Sequence, residues 1–204
     1  MKISEIFKSI QGEGKYTGQP ALFIRLSGCT RDCDFCDTKY HKQGKEMTTK
    51  EIIKEIKNSG MDYIVWTGGE PMLQEDEIHD VISETSKYCH HLETNGDILP
   101  ESPRVFSYIC FSPKESRVAQ NILNYVMQVD NAGWDWDIKI VTDLQTVGYD
   151  PILLDKATIL MPLTTFKKQL DEDIKQTVWN YCIKHNIKYS PRIHVDVWGN
   201  KKRK

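Results

Sequence analysis

Three of the chain's six cysteines, Cys29, Cys33 and Cys36, sit in the single run Cys29-Thr30-Arg31-Asp32-Cys33-Asp34-Phe35-Cys36. A spacing of three residues and then two lets one loop carry its thiolates to three corners of a cubane. Iron–sulfur clusters are held by thiolates, and a full set for a cubane is four. With three supplied, one iron keeps an open coordination position for a substrate, as catalytic metal sites do and closed structural sites do not. A zinc site is the competing reading, with His41 or a distant cysteine as fourth ligand, although this spacing is not among the usual zinc patterns. Cys89, Cys110 and Cys182 lie in apolar, strand- or helix-like surroundings and read as small core residues.

The thiols follow a short apolar run, Ala21–Leu26, and Gly28. Similar runs predict strands at Tyr63–Thr67, His91–Thr94, Phe106–Phe111, Ile138–Thr142, Thr158–Met161 and Tyr189–Val195. Between them lie helical patterns. Thr48-Thr49-Lys50-Glu51 fits a capping box, with Ile52, Ile53 and Ile56 on one face and Gly60 as a stop. Ile78, Val81, Ile82 and Thr85 mark a second helix, and Leu170, Ile174, Val178, Tyr181 and Cys182 mark another. Ile122, Leu123 and Val126 point to one more between Glu115 and Trp136. Such alternation favours parallel βαβ units. Several strands end in polar or Gly-rich turns: Thr67-Gly68-Gly69-Glu70-Pro71, Glu93-Thr94-Asn95-Gly96 and Ser112-Pro113-Lys114. Sites gather at the carboxyl ends of parallel strands. The predicted fold is therefore α/β: an incomplete, TIM-like barrel of parallel strands with flanking helices, forming one domain over residues 1–204.

Bulk composition narrows the function. Hydrophobic residues make up 39% of 204, enough for a packed core, and the net charge of −2 gives no basic field for nucleic acid. Lys201-Lys202-Arg203-Lys204 reads as a solvated tail. No apolar run approaches the roughly 20 residues of a membrane span. Met1–Ile10 lacks the apolar core of a signal peptide. The expectation is a cytoplasmic protein, and cysteines in a reducing compartment argue for metal or redox chemistry over a disulfide framework.

Cys-x3-Cys-x2-Cys after an N-terminal strand, with Gly68-Gly69-Glu70-Pro71 some thirty residues on, resembles the radical S-adenosylmethionine superfamily. The resemblance implies a [4Fe–4S] cluster on the three cysteines and S-adenosylmethionine on the open iron. An electron from the cluster would break the S–C5′ bond, and the resulting 5′-deoxyadenosyl radical would remove an unactivated hydrogen. It further implies that Gly69 and Glu70 hold the methionyl amine, while Phe35, Cys36 and Asp37 pass close to the adenine and the cluster.

A narrower resemblance runs in order from residue 7 to about residue 114. Phe7-Lys8-Ser9-Ile10-Gln11-Gly12-Glu13-Gly14, Tyr16-Thr17-Gly18, Phe23-Ile24-Arg25-Leu26, Cys36-Asp37-Thr38-Lys39, Glu93-Thr94-Asn95-Gly96 and Ser112-Pro113-Lys114 are similar to the 7-carboxy-7-deazaguanine synthase family. Beyond that the agreement thins to Met161-Pro162 and the segment around His194. That family converts 6-carboxy-5,6,7,8-tetrahydropterin to 7-carboxy-7-deazaguanine with loss of ammonia, feeding queuosine and other deazapurine pathways. It also takes Mg2+ and regenerates S-adenosylmethionine. The resemblance implies a homodimer and an electron-donor protein such as a flavodoxin as partners.

The residues suit a pterin. Gln11, in the stretch Ile10-Gln11-Gly12-Glu13, can both donate and accept, and Glu13 can accept from an amino-pyrimidine edge. Arg25 can grip a carboxylate bidentately. Thr67 and His194 would add polar contacts at strand ends. By resemblance Thr38 places its oxygen on Mg2+, and Ser112, Pro113 and Lys114 help line the cofactor pocket. Met161-Pro162-Leu163-Thr164 stands where a Gln-Pro pair is expected; a thioether cannot replace an amide donor, so contacts there run through the backbone or are absent. Read without the resemblance, Gln-Gly-Glu-Gly is a plausible turn, Arg25 a surface ion pair and Thr38 a loop or cap hydroxyl. Two other functions remain open at this point: a glycyl-radical activase of the same superfamily, and a zinc-stabilised binding module.

Overall fold

The computed structural model describes residues 1–36, 38, 43–129, 133–199 and 201. Asp37, Lys39, His41 and the tail residues Lys202, Arg203 and Lys204 lie outside the described residues. The elements are β1 (Lys2–Ile10), β2 (Pro20–Leu26), β3 (Lys45–Glu46), α1 (Thr49–Ser59), β4 (Tyr63–Gly68), α2 (Glu75–Ser83), β5 (Cys89–Thr94) and β6 (Tyr108–Phe111). There follow α3 (Ser116–Val129), β7 (Trp136–Thr142), α4 (Pro151–Asp155), β8 (Ile159–Pro162), α5 (Lys168–His185), β9 (Lys188–Tyr189) and α6 (Ile193–Trp198). They form two compact units. One is built from Met1–Ser9 and Pro20–Ile109, the other from Ile10–Gln19 and Cys110–Lys202.

In the first unit the strand order is β3-β1-β2-β4-β5. β3 joins β1 antiparallel, while β2, β4 and β5 run parallel, with Arg25 opposite Thr67 and Val65 opposite His91. Period-two alternation sorts the side chains. Leu22, Ile24, Leu26, Ile64 and Trp66 share one face and are fully buried. The other face carries Ala21, Phe23 and Val65, with Phe7 and Tyr63 packed against them, and then the polar pair Arg25 and Thr67. Buried residues from α1 (Ile52, Ile56) and α2 (Ile78, Val81, Ile82) complete the apolar interior. Each such side chain contributes about 1.5–3 kcal/mol. The capping box of α1 forms as its sequence predicts: Thr48 Oγ1 accepts from Glu51 N, and Glu51 Oε2 accepts from Thr48 N. Gly60 ends the helix at φ 71°, in the left-handed region that favours glycine.

In the second unit β7, β8 and β9 run parallel, with Thr142 opposite Pro162 and Leu160 opposite Tyr189. α3 buries Val118, Ala119, Ile122 and Val126, and α5 buries Ile174, Val178 and Cys182. The region predicted to hold an extra helix is thus α3.

Two predicted strands are corrected. Tyr189–Val195 is not a strand: β9 stops at Tyr189, and α6 begins at Ile193. Ser190 N still donates to Leu160 O, but Pro191 has no N–H to continue the ladder, so the chain turns into a helix instead. Phe106–Phe111 shortens to Tyr108–Phe111, because Phe106 N is taken by Pro103 O in a 3₁₀ turn. No helix among the described residues is long and apolar enough to cross a membrane.

Candidate active site

The first unit gathers the cysteine loop and the Gly-Gly-Glu-Pro turn at the carboxyl ends of β2 and β4. Cys29, Cys33 and Cys36 are half-buried thiols. Backbone N–H groups already point at two of their sulfurs: Arg31 N lies 3.4 Å from Cys29 Sγ, and Thr38 N lies 3.4 Å from Cys36 Sγ. Asn95 Nδ2 stands 3.9 Å from Cys29 Sγ. Among the described residues no three His, Cys, Asp or Glu side chains converge on one point as ligands of a single ion would. A cubane makes a different demand, since each thiolate takes a separate iron and the sulfurs stand around the cluster. Three thiols on one loop, two of them met by N–H donors, fit that demand.

Gly68 and Gly69 are required by close approach. A Cβ on Gly68 would lie 2.3 Å from Leu26 O, and one on Gly69 would lie 1.8 Å from Gly28 O. The contact lets Glu70 N donate to Gly28 O at 2.8 Å, which joins the turn to the first residues of the cysteine loop. The Glu70 side chain points inward and is fully buried. Its carboxylate accepts from Met72 N (3.0 Å), Thr94 Oγ1 (2.7 Å) and Asn95 N (2.8 Å). Burial pushes this carboxyl up to about 7, against the three donors that favour its ionised form.

Arg25 and Thr67 are neighbours across the β2–β4 register. Arg25 Nε donates to Glu5 Oε2 at 3.3 Å, and its Nη1 lies 3.5 Å from the hydroxyl of buried Thr38. The guanidinium also sits 5.9 Å from the Phe7 ring centroid. Arg25 and Thr38 therefore share one polar corner above an aromatic floor.

The second unit holds the other predicted residues. Ile10 is exposed, Gln11 buried. Gln11 Oε1 accepts from Glu13 N, and Gly14 N donates to Ser190 Oγ, so the Gln-Gly-Glu-Gly segment is an ordered turn. A Cβ on Gly12 would meet His194 Nδ1 at 2.1 Å, and Ile193 N donates to Gly12 O; only glycine lets α6 lie against this turn. Glu13 accepts from Lys139 Nζ at 2.9 Å and Arg192 Nε at 3.0 Å, with His194 Nε2 at 3.8 Å. Lys114 Nζ donates to Ser112 Oγ, and Pro113 is buried. Met161 and Pro162 are buried in β8, followed by Leu163, whose N–H donates to Thr142 O, and Thr164.

Comparison with known proteins now bears on this geometry. Residues 23–109 match the model of the radical SAM superfamily. A 7-carboxy-7-deazaguanine synthase of Bacteroides thetaiotaomicron is 47% identical over 84% of this chain and 87% of its own length. The chain belongs to the 7-carboxy-7-deazaguanine synthase family. A second member, from Hyperthermus butylicus, is 32% identical over 96% of this chain and 92% of its own. The crystal structure of QueE from Escherichia coli superposes with a TM-score of 0.57 at 20% identity, covering 93% of this chain and 92% of that one. The fold is accordingly the α/β, incomplete-barrel class that strand and helix alternation predicts.

Membership makes this a radical enzyme, with a [4Fe–4S] cluster and S-adenosylmethionine as its cofactors, acting on a small molecule and drawing on a reductant. The activase and the zinc module give way to it. Of the remaining cysteines, Cys110 and Cys182 are buried core residues, whereas Cys89, at the start of β5, is half-buried; burial pushes the Cys182 thiol up to about 11. Sequence reasoning missed Lys139, 4% exposed in β7, and Arg192, 10% exposed before α6. Lys139 carried one usable signal, a charge at a core position of the run Ile138–Thr142.

Proposed function

We propose that this chain converts 6-carboxy-5,6,7,8-tetrahydropterin to 7-carboxy-7-deazaguanine with release of ammonia, in a queuosine-type deazapurine pathway. The observation that carries the reading is the joining of the cysteine loop to the Gly-Gly-Glu-Pro turn through Glu70 N and Gly28 O, at glycines that admit no side chain. When bound, the cluster and S-adenosylmethionine supply the electron and the hydrogen-atom abstraction.

The chain's own residues hold and orient. Cys29, Cys33 and Cys36 ligate the cluster. Gly69 and Glu70 receive the methionyl amine through main-chain atoms, since the Glu70 carboxylate is committed to Thr94, Asn95 and Met72. Phe35, Cys36 and Asp37 border the adenine; Ser112, Pro113 and Lys114, with the backbone of Met161–Thr164, complete that cofactor's surroundings. For the substrate, Arg25 and Thr67 receive the carboxylate, and Ile10–Glu13 with His194 receive the pyrimidine edge. Glu13 is suited to this because Lys139 and Arg192 keep it ionised and therefore acceptor-only.

Thr38 would supply the protein oxygen for Mg2+, in keeping with the few protein ligands this ion uses. The same reading makes residues 1–204 one functional domain. It also makes the enzyme a cytoplasmic homodimer reduced by a protein such as a flavodoxin. Anaerobic incubation with the carboxy-tetrahydropterin, S-adenosylmethionine, Mg2+ and reductant, followed by mass analysis, tests it. Formation of 7-carboxy-7-deazaguanine and ammonia is expected. Cofactor cleavage with no change in the pterin would overturn the substrate assignment.

A further inference from the structure

Side chains that none of these roles uses tie the cysteine loop to the loop after β5. Asp97 Oδ2 accepts from Arg31 Nε at 2.7 Å and Asp97 Oδ1 accepts from Arg31 Nη2 at 2.6 Å, a two-pronged pair. The same Oδ2 accepts from Thr30 Oγ1 at 2.7 Å. Asn95 Nδ2 donates to Thr30 Oγ1 at 2.9 Å, and Asn95 Oδ1 accepts from Asp97 N at 2.8 Å. Thr30 and Arg31 fill the first two of the three positions between Cys29 and Cys33. The Arg31 and Asp97 side chains are only 19% and 18% exposed, so the pair is largely out of water, where a forked, charge-assisted contact is strongest.

The clamp has a firm base. Thr94 Oγ1 and Asn95 N both donate to the buried Glu70 carboxylate. The loop that grips Arg31 and Thr30 is thus fastened to the Gly-Gly-Glu-Pro turn itself. A loop without regular structure must be ordered before three thiolates can surround one cluster, and a rigid frame lowers the entropy lost when the cluster binds.

We infer that Asp97 is a positioning residue for the cluster, which through Arg31 and Thr30 holds the Cys29–Cys33 span in its ligating shape. The inference rests on Cys29, Cys33 and Cys36 being the ligands. Nothing in the chemistry of the substrate is asked of Asp97, so its loss should appear as a weakly held cluster before it appears in turnover.

The test uses the full chain, reconstituted anaerobically: wild type, Asp97→Asn, Arg31→Lys, the exchange of Arg31→Asp with Asp97→Arg, and Cys33→Ala as control. Cluster loss to a chelator is followed by visible absorbance, and the reduced cluster by electron paramagnetic resonance. Asp97→Asn and Arg31→Lys should lose the cluster roughly tenfold faster than wild type, the scale of one charged hydrogen bond. The exchanged pair should recover the part of that difference carried by the Arg31–Asp97 contact, since the exchange removes the acceptor of Thr30 Oγ1. If Asp97→Asn does not fold, the milder Arg31→Lys and the exchanged pair carry the test. Loss rates within about twofold of wild type in both single variants overturn the clamp, as does an exchanged pair no better than either. A Cys33→Ala chain that keeps its full iron overturns the ligand assignment instead.

Discussion

Replacing Glu13 by Gln keeps the shape of the side chain and removes only its charge, which isolates the charge network of the second unit. The carboxylate lies 2.9 Å from Lys139 Nζ and 3.0 Å from Arg192 Nε. Lys139 is 4% exposed and Glu13 19%, so the ammonium left behind has little water to turn to. Removing one partner of a buried pair costs about 3–5 kcal/mol, and the partial exposure of Glu13 lowers the expectation to about 2–4 kcal/mol. For a chain of this size that is a fall in Tm of about 4–16 °C. The pH dependence has a definite sign. Burial alone would raise the Glu13 carboxyl, but Lys139, Arg192 and His194 outweigh it and hold the group well below its ordinary 4.5. A depressed folded value gives stability that is present above the unfolded value and lost as pH falls through the folded one. The gap between wild type and Glu13→Gln should therefore stay level from neutrality down to about pH 5 and close below it. Thermal unfolding of the cluster-loaded enzyme across that range, with KM for the tetrahydropterin at pH 7, reads both effects. A variant within about 1 °C of wild type at neutral pH, or a gap that widens as pH falls, would refute the argument.

Cys29→Ala, Cys33→Ala and Cys36→Ala should each lose iron and acid-labile sulfide, whereas Cys182→Ala should keep both and cost only about 1–3 kcal/mol of stability; metal analysis and urea unfolding check this. Thr38→Ala should lower turnover and remove most of the response to Mg2+ while Thr38→Ser keeps both, and an alanine variant with the wild-type Mg2+ dependence would place the ion elsewhere. Glu70, lifted to about 7 by burial, contributes stability that is full below pH 4.5 and lost as pH rises through about 7, so Glu70→Gln should flatten that part of the Tm profile.

Features carried by a few neighbouring residues were legible in the sequence. The Thr48–Glu51 box and Gly60 bound α1 as their spacing predicts, because caps are decided within one turn of helix. The strands leading to the cysteines and to Gly68 were legible for the same reason, as short apolar runs ending in turn residues. β1 was missed: Lys2, Ser4, Glu5 and Lys8 hide its alternation, and buried Glu5 meets Arg25 from twenty positions away. The first residues of α6 were read as the end of the strand Tyr189–Val195, and Pro191 carries the signal that breaks the ladder. Lys139 and Arg192 needed the fold to bring Glu13 to them across 126 and 179 residues. No local pattern encodes a partner at that distance.

The Gly-Gly-Glu-Pro turn shows why reading a motif and reading a site are different tasks. As a string, its only charged residue is Glu70, which invites the inference that the carboxylate meets the cofactor. In the fold the carboxylate is buried, and its three donors come from β5, the loop after it and the backbone of Met72, just past the turn. A side chain buried this deeply acts by fixing its neighbours, and here the neighbours are Thr94 and Asn95, which support Asp97 and through it Arg31 and Thr30. The glycines do the complementary work by letting backbone touch backbone at Leu26 and Gly28. Strength of charge and nearness to the chemistry thus run in opposite directions along these four residues. The apolar, featureless Gly69 touches the cluster loop, and the charged Glu70 secures the frame from inside. Replacing Glu70 should accordingly loosen the grip on the cluster as well as on S-adenosylmethionine, an outcome that direct ligation of the cofactor by its carboxylate would not produce.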